Sequence, residues 1–347
     1  LAIVGFSGHS APDELRRLVA DFDLGGVIYF PRNIVEPRQV AELSREVAGL
    51  SRSWPLWISV DQEGGRVARL KRPFTEWPPA ETLGKSGDEH LAERFATALA
   101  AELTAVGINL DYAPVLDIRT NPKNAVIGDR ALAERADVVA RLGAVIIRAL
   151  QRGGVAACGK HFPGHGDTLA DSHDELPIVE HDRARLEAVE CLPFRRAVAE
   201  QVATIMTAHV LVPAIDDRPA SLSPVIVTDL LKQTLGFDGV VISDDLGMKA
   251  ISASTPKPDA ARSAIAAGCD AVLLCHEAAE EQVGILEALI HAGESGELPV
   301  LRIEDAFRRQ ERVKNRRRAP APAPPAALDV VGCAVHQAVA AEMAAWR

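Results

Sequence analysis

The chain has 347 residues and carries 38 basic against 48 acidic side chains, a net charge of −10, so no overall positive field would gather the phosphates of a nucleic acid. No charge-free apolar stretch approaches the roughly 20 residues that span a bilayer, while 48% apolar residues supply ample core; a soluble protein with no membrane partner is expected. The length suits two average domains or one large α/β barrel.

Residues 2–6 are a short apolar run, and residues 12–22 set Leu15, Leu18, Val19 and Phe22 on one helical stripe, which predicts a strand followed by a helix. The pair recurs along the chain. Run 26–30 is followed by a turn at Pro31, Arg32 and Asn33 and a helix over 37–50. Run 57–60 ends abruptly in DQEGGR at 61–66. A helix over 88–106 leads to run 109–115, then to Asp117 and a loop carrying Ile127, Gly128, Asp129 and Arg130. A helix over 136–151 precedes the fifth run, 155–158, and the stretch KHFPGHGDTLADSH at 160–173. Helices over 185–200, 224–235, 259–267 and 280–291 alternate with runs 204–208, 239–242 and 271–274.

Eight apolar runs with little polar alternation, each followed by a helix, imply a parallel sheet covered on both faces. A closed α/β barrel of the (β/α)8, TIM type fits that count. An open doubly wound sheet would be expected to carry a glycine-rich phosphate fingerprint after an early strand, and none is present. The expected organisation is one catalytic barrel over 1–318, a Pro/Ala-rich linker over 319–327 that cannot continue a helix, and a helix over 328–347 packed outside the barrel. In that helix Val331, Val335, Val339 and Met343 recur every fourth position. The basic cluster at 314–318 reads as a solvated helix end.

The five cysteines are scattered, odd in number and mostly set in apolar sequence, which suits reduced thiols and a cytoplasmic setting.

In such a barrel the reactive groups lie where strands end. Here Asn33, Asp61, Asp117, Lys160 with His161, His209, and Asp244 with Asp245 follow six different runs. Convergence of six strand ends on one pocket is the expectation. Zinc held by His161, His165 and His173 is disfavoured, because Pro163 and Gly164 break the helix that a His-x3-His pair needs; no metal is expected.

The stretch at 160–173, with VDQEGGRVARL at 60–70 and GFDGVVISDDLGM at 236–248, resembles glycoside hydrolase family 3, in its bacterial β-N-acetylglucosaminidase branch. The resemblance runs from about residue 24 to 274. It implies a retaining exo-β-N-acetylhexosaminidase without a cofactor, acting on a small carbohydrate such as the N-acetylglucosaminides and muropeptides of cell-wall recycling. Asp244 matches the family nucleophile. Asp245 is the alternative, although successive residues leaving a strand point to opposite sides. Asp171 and His173 match the branch's catalytic dyad: the histidine would transfer the proton, and the aspartate would orient the ring and stabilise the imidazolium. Asp61, Arg69, Arg130, Lys160 and His161 match residues that bind the sugar hydroxyls, with Asp117 and His209 as outer support. Three other readings stay open: a β-glucosidase of the same family, which would take its acid from a glutamate elsewhere; a phosphorylase, since a neutral histidine does not repel phosphate; and a sugar-binding barrel without turnover.

Overall fold

The computed structural model describes residues 1–51, 54–169, 172, 175–316 and 325–347. Eight parallel strands close into a barrel: β1 (Ala2–Gly5), β2 (Gly26–Tyr29), β3 (Trp57–Val60), β4 (Leu110–Asp111), β5 (Ala156–Phe162), β6 (Thr204–Thr207), β7 (Val240–Asp245) and β8 (Ala271–Leu274). Each strand pairs with its sequence neighbours, and β1 closes on β8 with Ala2, Ile3 and Val4 opposite Val272, Leu273 and Leu274. Outside lie α1 (Asp13–Phe22), α2 (Pro37–Ala48), α3 (Glu89–Ala105), α4 (Ala136–Arg152), α5 (Cys191–Ala199), α6 (Val225–Thr234), α7 (Lys257–Ala267) and α8 (Ala279–Glu294). This is the (β/α)8 architecture expected from the sequence.

The two-residue period of the strands separates two cores. Ile3, Ile28, Trp57, Leu110, Ala156, Cys158, Val240, Ile242 and Leu273 pack together inside the barrel. Their neighbours Val4, Val27, Ile58, Ala157, Val241 and Val272 pack in the larger core that includes the helices. Burying each large aliphatic side chain contributes about 1.5–3 kcal/mol, so both faces of every strand must be apolar. That is why the runs lack alternation.

Three expectations are corrected. Run 109–115 keeps only Leu110–Asp111 as regular strand; Pro114 has no N–H for the ladder, and Val115 makes an isolated bridge to Lys160. The fifth strand, read as 155–158, runs on through Lys160 and His161 to Phe162, so those residues stand on the sheet rather than on a loop. Of the basic cluster at 314–318, Lys314 is buried rather than solvated, and residues 317 and 318 lie outside the described residues. A helix that sequence periodicity did not bring out, α9 (Val300–Arg316), closes the barrel's amino end. Its Gln310 and Lys314 donate to the carbonyls of Asp270 and Gly25 at 2.7 Å each, and the Lys314 ammonium lies 4.0 Å from the centre of the Trp54 ring, a cation–π contact.

The C-terminal helix is also shorter than expected. Pro325–Val330 forms a tight turn and α10 spans only Ala334–Ala344, because Gly332 adopts φ +63° between them, a conformation that ends helical geometry. The buried stripe is His336, Val339, Ala340 and Met343 rather than one through Val335, which is 71% exposed.

Candidate active site

The same parity that fills the barrel carries polar groups into its carboxyl end. On β5 the inward series Ala156, Cys158 continues to Lys160; on β7 Val240, Ile242 continues to Asp244; beyond β3 Trp57 and Ser59 continue to Asp61. Lys160, Asp244 and Asp61, with Phe30, Arg69, Arg130 and His161, line a cavity of about 210 Å³. By parity His161 would face outward, but the β5–β6 ladder shifts register between Lys160 and Phe162, and such an irregularity re-aims a side chain.

Lys160 is the centre of a buried ion network. Its ammonium lies 2.8 Å from Asp61 Oδ1 and 2.6 Å from Glu63 Oε1. Arg130 grips Glu63 with both ends of its guanidinium, at 2.8 and 2.9 Å, the bidentate geometry that fixes both partners. Arg69 reaches Asp61 Oδ2 at 3.3 Å. Although burial alone would raise it, the Glu63 carboxyl is held far below the usual range by Arg130 and Lys160. Against the same burial penalty, Asp61 and Glu63 keep Lys160 charged well past its ordinary value. Asp61 and Glu63 come from one short hairpin (Gln62–Gly64 with Val67–Ala68) whose Gln62 side chain bonds Arg69 N, Leu70 N and Leu70 O.

His161 Nδ1 donates to Asp117 Oδ2 at 2.6 Å, which leaves Nε2 as the acceptor that Arg130 approaches at 3.5 Å. Asp117 also takes the backbone N–H groups of His161 and His165, at 3.2 and 2.7 Å. Burial opposes its charge, but His161 and then His165 hold its carboxyl below the normal value. His165, for which the sequence offered no task, is buried between two hydroxyls: Nδ1 pairs with Thr168 Oγ1 at 2.7 Å and Nε2 with Ser172 Oγ at 3.2 Å. Burial lowers its pKa. Asp171 and His173 lie outside the described residues. Among the described residues no group of three His, Cys, Asp or Glu side chains could hold a metal ion.

Asp244 and Asp245 both line the cavity but are held differently. Asp245 Oδ1 accepts the backbone N–H groups of Gly247 and Cys275 at 3.2 and 3.1 Å, and burial, then the neighbouring Glu277, push its carboxyl up to about 6. Asp244 Oδ1 accepts only the Asp245 N–H, at 2.8 Å, among the described residues. Burial would raise its pKa, but His209, His161 and that backbone bond outweigh it and the carboxyl is lowered. Burial lowers the pKa of His209; Nε2 donates to the Asp245 carbonyl at 3.0 Å while Nδ1 pairs with Ser221 Oγ at 2.7 Å. Asp117 and His209 thus support the groups that face the cavity.

Convergence of six strand ends is therefore only partial. Asn33 is fully buried but turned away, accepting Phe30 N–H and donating to the Phe6 and Gly8 carbonyls, so it shapes the β2 loop. Sequence reasoning quoted Glu63 without assigning it a role. Its signal was present, since it stands two residues after Asp61 in extended chain and so falls on the same side.

Asp111 was likewise overlooked, because an acid inside an apolar run reads as a strand end. It is wholly buried, Oδ1 accepts Gln62 N–H at 2.9 Å and Oδ2 has no partner among the described residues; burial pushes the carboxyl up to about 7. The folded chain therefore retains a proton that the unfolded chain, with an ordinary carboxyl near 3.9, gives up. The contribution is complete below about pH 4 and is lost as pH rises towards 7, at a cost on the order of a few kcal/mol. Asp111→Asn keeps the acceptor for Gln62 and removes the titration. It is expected to show a flatter fall of Tm between about pH 5 and pH 8 than the parent chain; parallel slopes in thermal melts would contradict this.

Comparison with known proteins adds kinship to this geometry. The family model described as the glycosyl hydrolase family 3 N-terminal domain matches residues 2–313. A β-hexosaminidase of Thiobacillus denitrificans is 40% identical over 289 residues, covering 81% of this chain and 80% of the relative. Among solved structures, a glycoside hydrolase family 3 β-N-acetylglucosaminidase from Paenibacillus sp. FPU-7 superposes with a TM-score of 0.96 at 42% identity, covering all of this chain and 67% of the other. NagZ from Neisseria gonorrhoeae, solved with N-trifluoroacetyl-D-glucosamine, gives a TM-score of 0.81 at 32% identity and covers 99% and 97% of the two chains.

Proposed function

Because this chain belongs to glycoside hydrolase family 3, we propose that it is a retaining exo-β-N-acetylhexosaminidase that releases terminal N-acetylglucosamine through a glycosyl-Asp244 intermediate. The observation that carries the reading is the pairing of one ionised, strand-mounted carboxylate with a preformed array of sugar-hydroxyl partners in the same cavity. Retaining hydrolysis needs a nucleophile fixed beneath the anomeric carbon. Asp244 is suited to that task because it is ionised and ends a rigid strand, whose placement exceeds what a loop can offer. Asp61 would accept from two adjacent hydroxyls, and Lys160, Arg69, Arg130 and His161 Nε2 would hold the ring's orientation. Asp171 and His173 would supply the proton donor to the leaving oxygen and then the base that activates water; a histidine suits that exchange at neutral pH.

Cell-wall fragments are the natural substrate in this reading, through the resemblance to the bacterial branch. The five free cysteines support a cytoplasmic setting, and no helix of the described residues is long and apolar enough to cross a membrane.

The test compares an aryl β-N-acetylglucosaminide with the matching glucoside. A site that hydrogen-bonds the acetamido group is expected to favour the former by about 100-fold or more in kcat/KM. His173→Ala is expected to lower kcat by roughly 10²–10⁴-fold. Free sugar, rather than sugar 1-phosphate, is the product expected in phosphate buffer. A preference for the glucoside, or phosphorolysis, would replace this reading with one of its enzymatic alternatives.

A further inference from the structure

The C-terminal segment has no part in the chemistry above, yet it is tied to the hairpin that carries Glu63. The knot is Glu102, in the last turn of α3 and 2% exposed. Among the described residues its carboxylate takes four bonds, none of them from α3. Two come from Thr75, through N–H at 3.0 Å and Oγ1 at 2.6 Å. Two come from the C-terminal segment, through Gly332 N–H at 3.0 Å and His336 Nδ1 at 2.8 Å. A buried carboxylate that loses donors is costly, so docking of loop 71–79 and docking of segment 328–347 are coupled through one side chain.

The contact continues from there to the sugar site without a free joint. Gly332 lies so close to loop 71–79 that a Cβ on it would fall 2.0 Å from the Pro73 carbonyl. The Trp77 ring packs edge-on against Phe95 of α3, with centroids 5.1 Å apart, and against His336 at 6.5 Å. The Trp77 carbonyl accepts Gly65 N–H at 2.8 Å, directly under the hairpin turn. A Cβ on Gly64 would fall 2.6 Å from the Pro78 carbonyl. Gly64 follows Glu63 in the chain, and the same hairpin leads into Arg69.

We propose that segment 328–347 is a built-in buttress of the sugar pocket: seated on Glu102 through Gly332 and His336, it fixes loop 71–79 and so holds Glu63 and Arg69 in their binding geometry. His336 and Gly332 are positioning residues that act through other groups and touch no substrate. The inference rests on the proposed reading of the cavity as a sugar site.

The test uses the full chain with His336→Ala and His336→Asn, since the asparagine amide nitrogen takes the place of Nδ1. In His336→Ala, hydrogen exchange of the Gly65, Arg69 and Leu70 amides is expected to quicken by about tenfold. KM for an aryl β-N-acetylglucosaminide is expected to rise about fivefold with kcat within about twofold, the signature of lost binding rather than lost chemistry. His336→Asn should restore both. The proposal is overturned if exchange over 62–79 does not change, if exchange quickens while KM stays put, or if the asparagine variant is as impaired as the alanine one. Should the parent chain not cleave the glycoside, the functional reading fails separately, and the exchange measurement with the affinity for N-acetylglucosamine in place of KM still decides the buttress.

Discussion

Asp244→Ala is expected to lower kcat on an aryl β-N-acetylglucosaminide by at least about 10⁴-fold, the scale on which removing a covalent nucleophile acts, while N-acetylglucosamine still binds. The expectation comes from the two neighbouring acids being unequal. Asp244 continues the inward series of β7, is ionised, and gives only one oxygen to the backbone among the described residues. Asp245 is held by two backbone N–H groups and its carboxyl is pushed up to about 6, so its oxygen is committed to the backbone and it ionises less readily than its neighbour. Asp245→Asn keeps an acceptor for Gly247 and Cys275 and should cost roughly tenfold or less. A 2-fluoro sugar that traps the glycosyl-enzyme should add its mass to Asp244. Label on Asp245, or equal losses in the two variants, would reverse the assignment.

How much of this could be read before the structure follows from period. The barrel was legible because both faces of each strand are apolar, leaving eight runs with no competing pattern. The inward face of Asp244 was legible for the same reason, as was the kinship carried by the stretch at 160–173. Strand ends were less so. Lys160 and His161 look like loop residues because polarity normally marks a strand's end, yet an ion network makes a charged strand interior tolerable. Nothing local in the sequence says that His161 escapes parity, since that depends on the β6 register. Glu102 and His336 were hidden for a further reason: their meaning lies in a contact between residues 234 positions apart.

Lys160→Met is expected to carry the largest cost in stability, about 3–5 kcal/mol, together with loss of measurable sugar affinity. Lys160 is 2% exposed and is the cation shared by Asp61 and Glu63. Its removal leaves two carboxylates facing each other without their shared cation; Arg130 remains on Glu63 and Arg69 on Asp61, but neither stands between them. Glu63→Gln alone should also destabilise, because it weakens the fork of Arg130 and takes one counterion from Lys160. The informative measurement is the double variant. Combining Glu63→Gln with Lys160→Met removes a charge of each sign, so the double loss should fall short of the summed single losses by about 1–3 kcal/mol in denaturant titrations. Strictly additive losses would mean that the two side chains are held independently, and the case for one preorganised sugar-binding network would fall with that result.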